Sequence, residues 1–244
     1  MPLPRVSISF TDGALGIPPD NTDGLIIAVF EKGVTSPPVL SNGFSNPLGE
    51  YGLMSDNVAY KITSKNQFNT LQVSNGDMNI FVQDFYAEAD NGTPVWIMVM
   101  SEAAGQWFGN QEDVFVKALR DTGNTATAMF LMPSTIAGAV AYKTFVSDTD
   151  IFFGMYLESD NNPCFGVVDF QSYSLASLPD DITEGVLRVA GYIGKNSIGS
   201  SNIGAFAGRY ASTPVYRNAG YVGDGAVNLK SGVPYQGAVL VSAM

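Results

Sequence analysis

Residues 77–100 read DMNIFVQDFYAEADNGTPVWIMVM, and the fold class turns on them. Met78, Phe81, Val82, Phe85 and Ala89 fall at i, i+3, i+4, i+7 and i+11, the spacing that lines one helix face with apolar groups. Asp77 is the expected cap, because its carboxylate can accept from the first unpaired backbone N–H groups. The polar run Asp90-Asn91-Gly92-Thr93-Pro94 ends the helix. Val95 to Met100 is then an unbroken apolar run, of strand length and too short to span a membrane. A strand apolar on both faces belongs inside a sheet covered by helices on each side. The stretch therefore gives a helix and a central strand of an α/β core, and names no reaction.

The same pattern extends outward in both directions. Val6-Ser7-Ile8-Ser9-Phe10 alternates apolar and polar as a half-buried strand does, and Thr11 to Gly24 is a Gly-, Pro- and Asp-rich loop. Gly24 to Phe30 is a buried strand; shorter strands are expected at Pro38-Val39-Leu40 and Val58-Ala59-Tyr60. Ser64 with Gln67 three residues on predicts a capped helix carrying Phe68 and Leu71. Ser101 to Gly109 reads as a loop. Asn110 with Asp113 opens a helix that buries Val114, Phe115, Ala118 and Leu119, and Gly123 stops it in the left-handed conformation. Ala126 to Met132 is a second core strand, Thr135 to Phe145 a helix, and Ile151–Tyr156 and Cys164–Phe170 two further strands. Asp180-Asp181 lead an amphipathic helix with Ile182, Val186, Leu187 and Ala190. Gly191 to Gly204 is a Gly-rich connection, Ala205 to Tyr216 is extended, and Gly237 to Ser242 is a final strand. The predicted architecture is α/β, α+β at the ends: a central, mostly parallel sheet flanked by helices, with extended β-type terminal arms. It divides into an arm and loop over 1–24, a core over 25–236, and a C-terminal strand or arm over 237–244.

Composition narrows the functional classes. Charged residues make up 14% of the chain, below the roughly 25% of ordinary soluble domains, and apolar residues 45%. Such a surface suits either a subunit that covers itself with neighbours or a neutral-polar monomer. The net charge of −11, from 23 acidic and 12 basic residues, argues against nucleic-acid binding and against adsorption to anionic lipid. No secretion-signal core follows the N-terminus and no apolar run approaches membrane-spanning length, so a soluble protein made in the cytoplasm is expected.

Chemistry-bearing motifs are scarce. With no histidine, Ser-His-Asp and Cys-His catalysis and His-ligated metals are excluded. Cys164 is the single cysteine and reads as a small buried residue rather than a reactive thiol. Gly194-Lys195 fails as a phosphate loop, because Val189 and Asn196 stand where Gly and Ser or Thr are required. Asp148 and Asp150 are spaced like the opening of a calcium loop that lacks its glycine and distal glutamate, and read as a solvated turn. Asp84 and Glu88, one turn apart, form either an acidic pair or part of a solvated helix face, the default. No catalytic residue, cofactor or metal is expected, and the chain is not expected to be an enzyme.

Two segments carry a resemblance. DFYAEADNGTPVWIMVM, residues 84–100, and IGAFAGRYASTPVYRNAGYVGDGAV, residues 203–227, are similar to segments of contractile-tail sheath proteins, in particular a short sheath-like family of tailed-phage and prophage clusters. The resemblance implies a structural subunit that assembles as a helical sleeve around a tail tube and contracts, without nucleotide or metal. The implied partners are further copies of itself, a tail tube protein and a baseplate protein, and the implied location is the virion tail, after synthesis in a bacterial cytoplasm. Terminal arms of sheath proteins add strands to neighbouring subunits, which makes Val6, Ser7, Ile8, Ser9 and Phe10 and Val239, Leu240 and Val241 interface candidates. The alternative is that both arms close the chain's own sheet. Arg209 and Arg217 fall in the second segment and either pair with a neighbour's acids or form intrachain surface pairs. Sheath proteins usually continue past the RNAGYVGDG-like stretch into a further domain, which this sequence does not show. A non-contracting tail component (tube, terminator or baseplate protein) and a small-molecule-binding α/β enzyme are the competing classes. An enzyme should place a polar cluster at the carboxyl ends of its core strands.

Overall fold

Among the described residues seven strands form one sheet: β1 (Ile26–Glu31), β2 (Ala59–Ile62), β3 (Val95–Met100), β4 (Ala128–Met132), β5 (Phe165–Asp169), β6 (Val189–Ile193) and β7 (Ala238–Val241). Their spatial order is β2-β3-β1-β4-β5-β6-β7. The computed structural model describes residues 26–32, 49–89, 91–123, 125–160, 164–170, 185–195, 199–212 and 238–241. The five inner strands are parallel, and β2 and β7 run antiparallel at the two edges. β1 is buried at every position and sits between β3 and β4, with Ile27 level with Trp96 on one side and Met129 on the other. The expected α/β class, with a mostly parallel sheet between helices, is the observed one.

Helices α1 (Lys65–Thr70), α2 (Gly76–Glu88), α3 (Trp107–Asn110), α4 (Glu112–Asp121), α5 (Ala139–Asp160) and α6 (Ile203–Ser212) cover the sheet. From β1 the chain steps one way to β3, then reverses across β1 to β4 and continues to β5 and β6. Right-handed crossovers in opposite directions put their helices on opposite faces. Accordingly Ile26, Ala28 and Phe30 share a core with Phe81 and Phe85 of α2 and Phe206 of α6. Ile27 and Val29 share the other with Trp107, Phe115 of α4 and Phe145 and Phe153 of α5. Met78, Phe81, Val82 and Phe85 are the buried stripe of α2, each stabilising by roughly 1.5–3 kcal/mol through burial.

Several local expectations are corrected. Asn75, not Asp77, caps α2: its side-chain oxygen accepts from Met78 N–H at 3.0 Å, and Asp77 lies in the first turn. Ser64 accepts from Gln67 N–H as a capping box requires, while the Gln67 side chain accepts from Thr63 N–H rather than from the cap itself. Ser101–Gly109 is not simply a loop, since a 3-10 turn at Ala104–Gln106 leads into α3. The next helix begins at Glu112 after Gln111 instead of at Asn110. Gly123 does take positive φ, +71°, at the end of α4.

The largest correction concerns residues 139–160. Ile151–Tyr156, read as a strand, lies inside α5, and the helix expected from Thr135 starts only after Gly138, whose φ is +84°. Phe152, Phe153 and Tyr156 are buried while Ile151 and Met155 are exposed, which is helical and not alternating spacing. Asp148 and Asp150 are therefore mid-helix residues, not a turn. Asp150 accepts from the backbone N–H groups of Leu187 and Arg188 at 2.9 and 2.6 Å and pairs with the Arg188 guanidinium at 3.7 Å, tying α5 to the entry of β6. Ala190 belongs to β6 and Leu187 to a bend, so the helix expected there is absent over 185–190; its start lies outside the described residues. Gly191–Ile193 belongs to β6 and Ile203–Gly204 to α6, with a connection between them, and Ala205–Ser212 is helical, not extended, while residues 213–216 lie outside the described residues.

Small residues explain that last reversal. Gly204 and Gly208, one turn apart on α6, meet the backbone of α2: a methyl at Gly204 would stand 2.4 Å from the Phe81 carbonyl oxygen, and one at Gly208 2.3 Å from that of Phe85. Gly204, read as the end of a Gly-rich connection, and Gly208, in a stretch read as extended, instead let two helix backbones touch.

Candidate functional site at the carboxyl edge of the sheet

The reversal of winding between β1 and β4 opens a crevice at the carboxyl ends of the strands, where doubly wound sheets bind their ligands. Three segments converge there: the last residue of β1, the turn after β3, and the turn after β4. Glu31 ends β1 and is only 5% exposed. Its Oε1 accepts from Ala104 N–H at 2.8 Å and from the Thr135 hydroxyl; its Oε2 accepts from the amides of Ser134 and Thr135, the latter at 2.8 Å, and from the Ser134 hydroxyl at 3.1 Å. All five donors are neutral. Hydrogen bonds to a carboxylate are stronger than neutral ones, and these five compensate the desolvation that burial imposes. The backbone oxygen of Glu31 is held as well, by the Tyr51 hydroxyl at 3.0 Å.

Beside this cluster lies a cleft of about 440 Å³, walled by Ala104, Phe108, Thr135, Ile136, Phe145 and Asp148 among others. Among the described residues Asp148 is the one acidic or basic side chain on its wall, and partial burial raises its carboxyl above the usual range. General acid–base or nucleophilic catalysis needs a second group within reach. Glu31 does not supply it, because both of its oxygens are already engaged by fixed donors. The crevice has the place and volume of a binding site without paired reactive groups among the described residues.

The acidic pair on α2 departs from the default of a solvated face. Glu88 is 1% exposed and packs over Gly208. Asp84 is pushed up to about 6, first by desolvation and second by the charge of Glu88. On the same helix burial raises the Tyr86 phenol, whose hydroxyl donates to the Thr93 carbonyl at 3.2 Å. Cys164 is buried, and burial pushes its thiol up to about 12.

Of the expected interface residues, Val6, Ser7, Ile8, Ser9, Phe10 and Arg217 lie outside the described residues. Val239, Leu240 and Val241 are in β7, level with Tyr192, Gly191 and Ala190 of β6 in the same chain. Arg209 is half-buried in the last turn of α6. These positions are not gathered into one site. Glu31 was missed by the sequence reading, although an acid closing the apolar run IIAVF and a Ser-Thr pair after Pro133 were its visible signals. Among the described residues no group of three acidic or sulfur side chains could hold a metal, and no helix is long and apolar enough to cross a membrane. The sequence matches no family model, and no curated protein matches it at a significant level.

Proposed function

We propose that this chain is a structural subunit of a contractile-tail or injection-machine sheath, which assembles with further copies of itself around a tail tube and docks on a baseplate, in the virion tail. The observation that carries the reading is the resemblance of residues 84–100 and 203–227 to sheath segments. β7 lies antiparallel on β6 of the same chain at the sheet edge, so in the free chain that arm closes its own sheet. In the assembly a neighbour's strand would supply the edge of β6 with the same backbone bonds, since strand addition needs no particular side chains. The low charge of the chain suits such a subunit, as it also suits a neutral-polar monomer.

The test is electron microscopy of purified protein, alone and with a tail tube protein, before and after deletion of residues 237–244. Rings or hollow tubes that vanish on deletion, with the helical circular dichroism retained, are the expected result. A uniform small oligomer that ignores the tube would overturn the reading. A second reading, a small-molecule-binding α/β protein, rests on the 440 Å³ cleft at the switch point. It predicts saturable stabilisation of the small oligomer by a ligand held at Asp148 and Thr144, which line that cleft.

A further inference from the structure

Five donors on one buried carboxylate are more than a strand end needs. The amides of Ala104, Ser134 and Thr135 come from two different turns, and all three point at the same two oxygens together with two hydroxyls. This is the arrangement by which backbone nests bind anions, and it sits in the crevice where doubly wound folds hold a charged ligand. Ala104 and Thr135 also line the open cleft, so two of the three donor residues border both the cleft and the Glu31 carboxylate.

We propose that the amides of Ala104, Ser134 and Thr135 and the hydroxyls of Ser134 and Thr135 form a carboxylate-binding seat at the switch point of the sheet, and that Glu31 is its own tethered ligand. The fold's anion site is occupied from within. A free anion does not enter the intact chain, because the tethered group is present at a far higher local concentration than any solute. The seat is built for a planar carboxylate: one oxygen takes two donors and the other three, in a fork. Its donors are all neutral, so a monocarboxylate of acetate size is the ligand class that fits once the side chain is removed.

Glu31→Ala tests this directly, since the atoms removed beyond the methyl amount to an acetate ion. Thermal unfolding is followed at neutral pH in sodium acetate and in sodium chloride of equal ionic strength. In chloride the variant melts below the wild type. For a site with a dissociation constant of ~10 mM, acetate at ~100 mM shifts the folding equilibrium roughly elevenfold and raises the melting temperature of a chain this size by about 3–6 °C. Wild type and Glu31→Gln, whose side chains fill the seat, do not respond. If Glu31→Ala does not fold in chloride, its refolding yield in acetate becomes the readout, and recovery in acetate alone supports the seat. Equal melting of the alanine variant in both salts, equal acetate stabilisation of the wild type, or no refolding in either salt would overturn it. Rescue by phosphate but not by acetate would overturn the assignment to a planar carboxylate.

Discussion

Replacing Gly204 by alanine puts a methyl group into the seam between α2 and α6, and the structure sets the size of the effect. The added carbon would lie 2.4 Å from the carbonyl oxygen of Phe81, 2.8 Å from its Cα and 2.9 Å from its carbonyl carbon. All three atoms are backbone, so no side-chain rotation relieves the overlap and the helices must part by roughly 1 Å, opening the contacts around Phe81 and Phe206. Overpacking of this kind costs about 1–3 kcal/mol, and immovable partners place it near the upper end. Alanine returns ~1 kcal/mol through its better helix propensity. The net loss is about 2 kcal/mol, which lowers the melting temperature of a chain this long by roughly 4–8 °C. Urea denaturation followed by circular dichroism, with the slope unchanged, measures it. Gly76→Ala is the control: it sits at the start of α2 with nothing within 4 Å of the new methyl, so the same substitution should be neutral or stabilising by up to ~1 kcal/mol. A Gly204→Ala protein as stable as Gly76→Ala would refute the close approach of the two helices.

Two further outcomes follow from titratable groups. Asp84 keeps its proton in the folded state to about pH 6 and in the unfolded chain only to the ordinary value near 4. Its contribution to stability is therefore complete below about pH 4 and lost as pH rises through 6. Asp84→Asn should flatten the decline in melting temperature between about pH 4 and 7, and parallel curves for variant and wild type would contradict the assignment. Cys164, buried with its thiol held at about 12, should react with iodoacetamide at about pH 8 only as fast as the protein unfolds. Rapid labelling of the folded protein would show that the site is open.

The parts of the fold that could be read in advance were those whose period was unambiguous. The α2 stripe from Met78 to Phe85 and the strands Val95–Met100 and Ala128–Met132 combine strong periodicity or continuous burial with clear stops at Gly92, Gly123 and Pro133. Ile151–Tyr156 was misread because a short apolar run has the same composition in a buried strand and in a helix packed over a sheet. The 22-residue length of α5 resolves it, and length is a property of the neighbours rather than of the run. Gly204 and Gly208 misled for a different reason: a glycine looks alike whether it serves a turn or admits another backbone, and its partner Phe81 lies far away in sequence. The signals of the Glu31 cluster were visible singly, but their meeting was not, for the same cause. Its donors come from residues 104, 134 and 135, and only the order of the strands brings them to one point.

The position of β1 in mid-sheet also governs how the chain is made. Its parallel neighbours are β3 and β4, and Ile26 finds its partner Ala128 about 100 residues later in the chain. At roughly 5–20 residues per second, the apolar segment Ile26–Phe30 leaves the ribosome ~5–20 s before that partner does. Until β3 follows neither edge of the strand has its partner, and until β4 follows one edge still offers unpaired amides to any other nascent strand. Nascent chains of this protein should therefore depend on chaperone cover until Met132 has emerged. Slowed synthesis between Glu31 and Ala128 should lower the soluble yield more than equal slowing after Ile193, where β6 ends and the parallel strands are already complete.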